Sequence, residues 1–151
     1  MKAEIYFKDL DFAKWSGKTI ILDVDGTITT DGSVDVDPLV FQKVQELSMN
    51  NSVFIFSNKK LVDRNDRLSK QLKIPFIYTS FKKPNKKVIE RLPEYLKRNL
   101  VVVGDKITID GLFAKNIQAE FVKVKRLTSE ADSLKTKLIY LLDNFINILI
   151  N

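Results

Sequence analysis

The chain has 151 residues, 44% of them hydrophobic and 29% charged, which fits one globular domain and is too short for two. It contains neither His nor Cys, so Ser-His-Asp hydrolysis, thiolate catalysis, disulfides and zinc bound by His or Cys are excluded. The net charge of +6 favours anionic partners, and carboxylates, lysines and hydroxyls remain as catalytic material.

No segment of the sequence has the pattern of a membrane or export signal. The first residues lack the apolar block of a signal peptide, and no stretch approaches the ~20 apolar residues of a transmembrane helix. We therefore expect a cytoplasmic protein, or one held peripherally at a membrane.

The first predicted strand is the most informative segment. An apolar β-branched run over residues 19–22 predicts a buried strand that ends at two carboxylates, Asp23 and Asp25. Gly26 allows the backbone to turn sharply away after them. In open α/β sheets, reactive groups gather beyond the carboxyl ends of the strands. Two like charges this close repel each other unless a cation or phosphoryl chemistry uses them.

The rest of the chain alternates predicted helices with predicted strands. Further strands are expected over residues 53–56, 75–78, 100–103 and 120–124, and helices over residues 38–49, 60–72, 84–97 and 110–117. In the second helix Leu61, Leu68 and Leu72 are expected to face inward. The strands are continuous apolar runs rather than alternating ones, which indicates a parallel sheet covered on both faces. The sequence therefore predicts an α/β, Rossmann-like doubly wound fold.

Chemically active side chains follow the predicted strands in order. After Asp23 and Asp25 come Ser57, then Lys83, then the pair Asp105 and Asp110. The segments DVDGT, the serine of FSN, the lysine of KKP and GDKITID resemble the four motifs of the haloacid dehalogenase-like (HAD) phosphohydrolases. The resemblance covers roughly residues 19–125, and the order and spacing of all four motifs agree with it.

The resemblance implies a role for each catalytic residue. Asp23 would attack phosphorus and form an aspartyl-phosphate intermediate, and Asp25 would protonate the leaving oxygen and then deprotonate the attacking water. Ser57 would hydrogen-bond a phosphoryl oxygen, and Lys83 would neutralise charge on the nucleophile and the phosphoryl group.

The resemblance also implies a Mg²⁺ site and a substrate-binding loop. Asp23, the backbone carbonyl of Asp25, Asp105 and Asp110 would hold the ion, since Mg²⁺ takes carboxylates together with waters and substrate oxygens. Gly26, Thr27 and Asn58 would contact the substrate.

Simpler interpretations of single residues remain open at this stage. Ser57 and Asp110 also suit helix caps, and Lys83 belongs to a lysine-rich stretch. A calcium loop starting at Asp23 would need Gly where Ile28 stands.

The spacing of the motifs leaves no room for a cap domain. Between Asp25 and Ser57 there is space for a flap and one helix, and between Ser57 and Lys83 for a helix and a strand. A site without a lid must be closed by its substrate, by a macromolecular surface or by a second subunit.

Several substrate classes fit a capless phosphatase. Within the capless subfamily IIIA, the chain resembles the YqeG-type branch, which includes phosphatidylglycerophosphate phosphatases, through the segment IPFIY before KKP and the Lys115-Asn116 pair. The pattern DVDGT-x-T-x-DG is also similar to that of oligomeric phosphatases acting on the sugar acid 3-deoxy-manno-octulosonate phosphate. A lipid phosphate is thus the expected substrate, with a sugar-acid phosphate as the alternative.

Two further function classes rank lower. A nucleic-acid 3′-phosphatase would suit the positive charge, but no basic, aromatic-rich groove for stacking bases is evident, so nucleic acid is an unlikely partner. A noncatalytic phosphate-binding module is disfavoured because every motif residue is present.

The C-terminal residues 129–151 are predicted to form one amphipathic helix appended to a phosphatase core of residues 1–128. Leucines, isoleucines and Phe145 form a broad stripe, opposite a narrower face of Ser133, Lys137, Tyr140, Asn144, Asn147 and Asn151. The stripe is wider than packing on the domain core requires. We expect the surplus to serve a peripheral membrane contact or a homo-oligomer, with packing of the stripe on the chain's own sheet as the simpler alternative.

Overall fold

A parallel four-stranded sheet forms the centre of the protein in a computed structural model, which describes residues 5–150. The strands are β1 (Thr19–Asp23), β2 (Ser52–Phe56), β3 (Leu100–Gly104) and β4 (Glu120–Lys123), and they lie side by side in the order β2-β1-β3-β4. The two central strands, β1 and β3, are buried along their whole length, which explains their continuous apolar sequence. The predicted α/β fold with a parallel, Rossmann-like sheet is confirmed.

Within residues 5–150 four α-helices accompany the sheet: α1 (Pro38–Ser48), α2 (Val62–Leu72), α3 (Leu112–Asn116) and α4 (Leu134–Ile150). Helix α1 begins where the sequence predicts, because the Asp37 carboxylate accepts the Leu39 N–H at 2.8 Å and Pro38 suits the first helical position. Its buried residues, Val40, Val44 and Leu47, cover the sheet. In the described chain no additional domain interrupts the segments between β1 and β3, as expected for a capless protein.

The strand predicted over residues 75–78 is reduced to a single bridge. Phe76 pairs in parallel with Ile55, and the only ladder hydrogen bonds are those from Ile55 N–H to the Pro75 carbonyl and from Ile77 N–H to the Ile55 carbonyl, both 3.0 Å. Because Pro75 has no N–H group, it cannot extend the ladder towards the start of the segment.

The prediction of one helix over residues 84–97 is wrong. Two short 3₁₀ turns, Lys86–Ile89 and Glu94–Leu96, stand in its place. Pro93 lies between them, and a proline lacks the helical N–H donor and disfavours the α conformation of the residue before it. The apolar pattern was nevertheless informative, because Val88 and Ile89 are buried.

The predicted C-terminal helix starts five residues later than expected, and it is oriented differently. It begins at Leu134 rather than Ser129, and its buried residues are Tyr140 and Asp143. Asn151 lies outside the described residues. The alternative that the apolar stripe packs on the chain's own sheet is wrong, because one face of α4 is exposed to solvent. We call this face the outer face of α4, and it consists of Leu134, Leu138, Leu141, Leu142, Phe145, Ile148 and Leu149.

Candidate active site

A cleft of about 990 Å³ opens at the carboxyl edge of the sheet. Asp23 and Asp25 reach it from the end of β1, and Lys83 and Asp110 reach it from loops that follow β2 and β3. Tyr140 of α4 forms part of the opposite wall. The carboxyl ends of parallel strands meet at one edge, so residues far apart in the sequence converge here.

Lys83 lies between two carboxylates at the base of the cleft. Its ammonium donates to Asp23 Oδ1 at 2.7 Å and to Asp110 Oδ1 at 2.6 Å, and its side chain is only 2% exposed. Burial alone would lower the pKa of Lys83, but the two carboxylates outweigh burial and hold that pKa above its usual value. Lys83 is therefore a fixed positive charge beside Asp23.

Asp23, Asp105 and Asp110 form a buried group of carboxylates. One oxygen from each lies within 4.8 Å of those of the other two. Burial, followed by the nearby charge of Asp23, raises the pKa of Asp105 to about 7, although Lys106 opposes the shift. Burial also raises the pKa of Asp110. Crowded oxygen ligands of this kind fit a hard divalent cation, whose charge would relieve their mutual repulsion.

The backbone at Gly26 must lie close to this group. Gly26 has φ +84°, and a Cβ atom added there would lie 2.5 Å from Asp105 Oδ2. Any larger residue would therefore be strained and would displace the carboxylate. Next to Gly26, the Thr27 hydroxyl donates to Asp23 Oδ2 at 3.0 Å, so Gly26 and Thr27 contact the buried carboxylates Asp105 and Asp23 respectively.

Asp25 points away from the carboxylate group and pairs with Arg64. The guanidinium of Arg64 donates to both oxygens of Asp25, at 2.9 and 3.1 Å, and Ser57 Oγ donates to Asp25 Oδ2 at 2.5 Å. Burial raises the pKa of Asp25, but the bonds from Arg64 and Ser57 outweigh it and hold that pKa below its ordinary value of 3.8. The predicted serine and the second predicted aspartate are thus neighbours.

Asn58 fixes the backbone that carries Lys83. The Asn58 amide nitrogen donates to the Lys83 carbonyl at 3.0 Å, and Lys83 N–H donates to Asn58 Oδ1 at 2.8 Å. Asn58 also lines the cleft. This residue can therefore position Lys83 and face a ligand at once.

Two basic residues that the sequence analysis did not single out cover Asp105. Arg126 Nε lies 2.8 Å from Asp105 Oδ2, and Lys106 Nζ lies 3.4 Å from Asp105 Oδ1. The guanidinium of Arg126 stacks 3.6 Å from the centre of the Tyr140 ring. Both cations offset the charge of the carboxylate group.

Helix α4 is attached to the active-site loop through its one carboxylate. Asp143 accepts the N–H groups of Ile107 and Thr108, at 3.3 and 3.0 Å, and the Thr108 hydroxyl at 2.6 Å. These two residues begin the π turn Ile107–Gly111, which carries Asp110. The site is thus walled by the chain's own C-terminal helix, a contribution that the sequence did not reveal.

Arg64, the buried partner of Asp25, carries a signal in the sequence. Leu61, expected inside, is 47% exposed, and the buried positions of α2 are instead Arg64, Asn65, Leu68 and Leu72. Arg64 precedes Leu68 and Leu72 at intervals of four, so it lies on the same helix face. A charged residue at an inward position signals a buried partner. Arg126, Tyr140 and Asp143 carry no comparable local signal.

The parallel α/β fold with a lysine between carboxylates at the strand ends is the arrangement that a phosphoryl-transfer enzyme needs. Comparison of the sequence with family models agrees: the model described as "Mitochondrial PGP phosphatase" matches residues 6–126. The chain belongs to this family of HAD-like phosphatases. No curated protein and no solved structure gives a significant match.

The family assignment makes the protein a phosphatase. The word mitochondrial describes the family, and a cytoplasmic location for this chain stays a prediction. Among the described residues, no helix has both the length and the apolar character needed to cross a membrane.

Proposed function

We propose that the protein is a Mg²⁺-dependent phosphomonoester hydrolase that acts through an aspartyl-phosphate at Asp23 on a lipid phosphate such as phosphatidylglycerophosphate. The observation that carries this proposal is the placement of Asp23 at the edge of the cleft, 2.7 Å from the buried ammonium of Lys83. The name of the matched family supports the lipid substrate over a sugar-acid phosphate.

In the first step an Asp23 carboxylate oxygen forms a bond to phosphorus while the bond from phosphorus to the alcohol oxygen breaks. Asp25 gives the leaving oxygen a proton, and Lys83 offsets the negative charge that gathers around phosphorus. In the second step Asp25 takes a proton from water, the water oxygen bonds to phosphorus, and phosphate leaves as Asp23 is regenerated.

The contacts of Asp25 favour its role in the second step. Arg64 holds the Asp25 carboxyl ionised, which is the form that accepts a proton from water. For the first step Asp25 must be protonated, so Arg64 has to turn away from it. The phosphoryl group of the substrate, being an anion, offers the guanidinium a competing partner beside Ser57, which Arg64 already contacts at 3.2 Å.

Asp23, Asp105 and Asp110 would hold Mg²⁺, with the Asp25 backbone carbonyl completing the ligand set proposed from the family resemblance. The ion would supply positive charge that orients the phosphoryl oxygens and stabilises charge in the transition state. The protein's own contribution is to hold the three carboxylates close together before the ion binds.

Phosphate release from a panel of phosphomonoesters tests the proposal. The panel contains phosphatidylglycerophosphate in detergent, 3-deoxy-manno-octulosonate phosphate, a 3′-phosphorylated oligonucleotide and an aryl phosphate. We expect release from the lipid and the aryl ester with Mg²⁺, and none with EDTA. Asp23→Asn should abolish turnover while keeping the circular dichroism spectrum, whereas Asp9→Asn, at an exposed position outside the cleft lining, should leave turnover unchanged. Turnover by Asp23→Asn would refute the mechanism.

A further inference from the structure

Helix α4 buries Tyr140 and Asp143 on the side of the active site and turns its outer face towards solvent. The seven residues of that face are 57–75% exposed. At the α-helical period they form an unbroken apolar arc about 120° wide, since no polar residue of the helix falls between them. Soluble monomers rarely expose a continuous apolar surface of this extent unless it binds something.

The charges of α4 indicate what binds there. Its charged residues are Lys135, Lys137 and Asp143, and the carboxylate of Asp143 is buried. By the helical period, the two lysines flank the apolar arc on opposite sides, at the end of the helix nearer the cleft. An apolar arc with flanking cations and no exposed carboxylate is complementary to an anionic lipid surface.

The position of α4 places this surface beside the cleft. Thr136, Ile139 and Tyr140 line the cleft, while Leu138 and Leu142, on the same turns, are exposed outside it. The cleft lining itself holds six aspartates and five lysines, so the positive charge that favours an anionic surface comes from Lys135 and Lys137 of α4 rather than from the cleft as a whole. A lipid whose phosphate reaches Asp23 must keep its acyl chains in the bilayer, so the bilayer has to lie near the mouth of the cleft.

We infer that the outer face of α4 docks the enzyme on the surface of an anionic phospholipid bilayer, with its leucines in the interface and Lys135 and Lys137 at the headgroups. The choice of a bilayer rather than a second copy of the chain rests on the flanking lysines and on the proposed lipid-phosphate substrate. Anchoring of Asp143 to Thr108 then holds the docked helix against the loop that carries Asp110.

Flotation of the full chain with vesicles tests this inference without any need for turnover. The vesicles contain phosphatidylcholine alone, or equal parts phosphatidylcholine and phosphatidylglycerol, and EDTA is present. We expect binding to the anionic vesicles and a loss of at least about tenfold in Leu138→Glu/Leu142→Glu, because binding scales with buried apolar area. Lys137→Gln, which removes one of the two flanking charges, should weaken anionic binding roughly fivefold. Met49→Glu, at an even more exposed apolar position directly after α1, is the control and should bind normally.

Two companion measurements separate the failure of docking from the failure of the proposed function. The double variant should still hydrolyse a soluble aryl phosphate at the wild-type rate, because both leucines are exposed outside the cleft. A wild-type chain that hydrolyses phosphates but does not float would overturn the docking inference alone. One that floats but hydrolyses nothing would support docking and overturn the proposed function. A dimer, seen by light scattering and broken by the double substitution, would show that a second copy covers the outer face and would also overturn docking.

Discussion

Replacing Arg64 by Met removes the guanidinium from a buried ion pair while keeping most of the apolar volume. The side chains of Arg64 and Asp25 are 8% and 9% exposed, and Arg64 also donates to the Ser33 carbonyl and to Asn65 Oδ1. Removal of one partner from such a pair leaves an uncompensated buried charge and costs about 3–5 kcal/mol. That is a large share of the total stability of a typical domain, roughly 5–15 kcal/mol. For a chain of this length we expect the melting temperature to fall by roughly 6–20 °C.

Urea unfolding of a double-mutant cycle measures the pair itself. Arg64→Met and Asp25→Asn should each lower the free energy of unfolding. The loss of unfolding free energy in the double variant should be smaller than the sum of the two single losses by at least about 1 kcal/mol. Arg67→Met, at an exposed position of the same helix, should change the free energy of unfolding by less than about 0.5 kcal/mol. Strict additivity, or a loss below about 1 kcal/mol in Arg64→Met, would refute the reasoning.

The same cycle has an expected pH dependence. The pKa of Asp25 in the folded protein lies below its ordinary value of 3.8. The stabilisation by the pair is therefore present above pH 3.8 and is lost as the pH falls through the lower, folded-state pKa. The difference in unfolding free energy between wild type and Arg64→Met should accordingly be constant near neutral pH and shrink in acid. A difference that grows on acidification would contradict the assigned ionisation.

Three further predictions follow from individual contacts. Lys83→Met should reduce phosphate release at least about 100-fold, because the positive charge beside Asp23 is lost. Lys83→Arg should not restore phosphate release, because the larger guanidinium does not fit the buried site. Near-normal release by Lys83→Met would exclude an electrostatic role for Lys83. Asp143→Asn should lower the free energy of unfolding by about 1–3 kcal/mol, because it removes the charge from a carboxylate that accepts three hydrogen bonds. An unchanged urea midpoint would show that other contacts hold α4. Ultraviolet titration should find Tyr78 ionising near pH 12, since its hydroxyl donates to the Asp66 carboxylate, and Asp66→Asn should return the pKa towards 10.

Much of the fold and of the candidate site follows from local patterns in the chain. Continuous apolar runs are what strands buried on both faces require, so β1 and β3 could be identified from residues 19–22 and 100–103 alone. Each of Asp23, Ser57 and Asp105 directly follows or ends a strand, and the geometry of parallel sheets brings such positions to one edge. The predicted strand over residues 75–78 and the predicted helix over residues 84–97 failed because a proline, Pro75 or Pro93, removed a backbone donor from an otherwise regular apolar pattern.

Tertiary structure alone decided which charges meet and which face of α4 is covered. Arg64 and Asp25 are 39 positions apart, and Asp143 and Thr108 are 35 apart, so no local pattern joins them. The period of α4 located an apolar stripe and a polar face, but a period cannot say which of the two is buried. Burial of Tyr140 and Asp143 is favourable because the loops that follow β3 and β4 present three hydrogen-bond donors to Asp143 and the Arg126 guanidinium to the ring of Tyr140. The sequence by itself therefore determined the sheet and the charged residues at its carboxyl edge, whereas long-range hydrogen bonding and charge pairing decided how α4 packs beside the cleft.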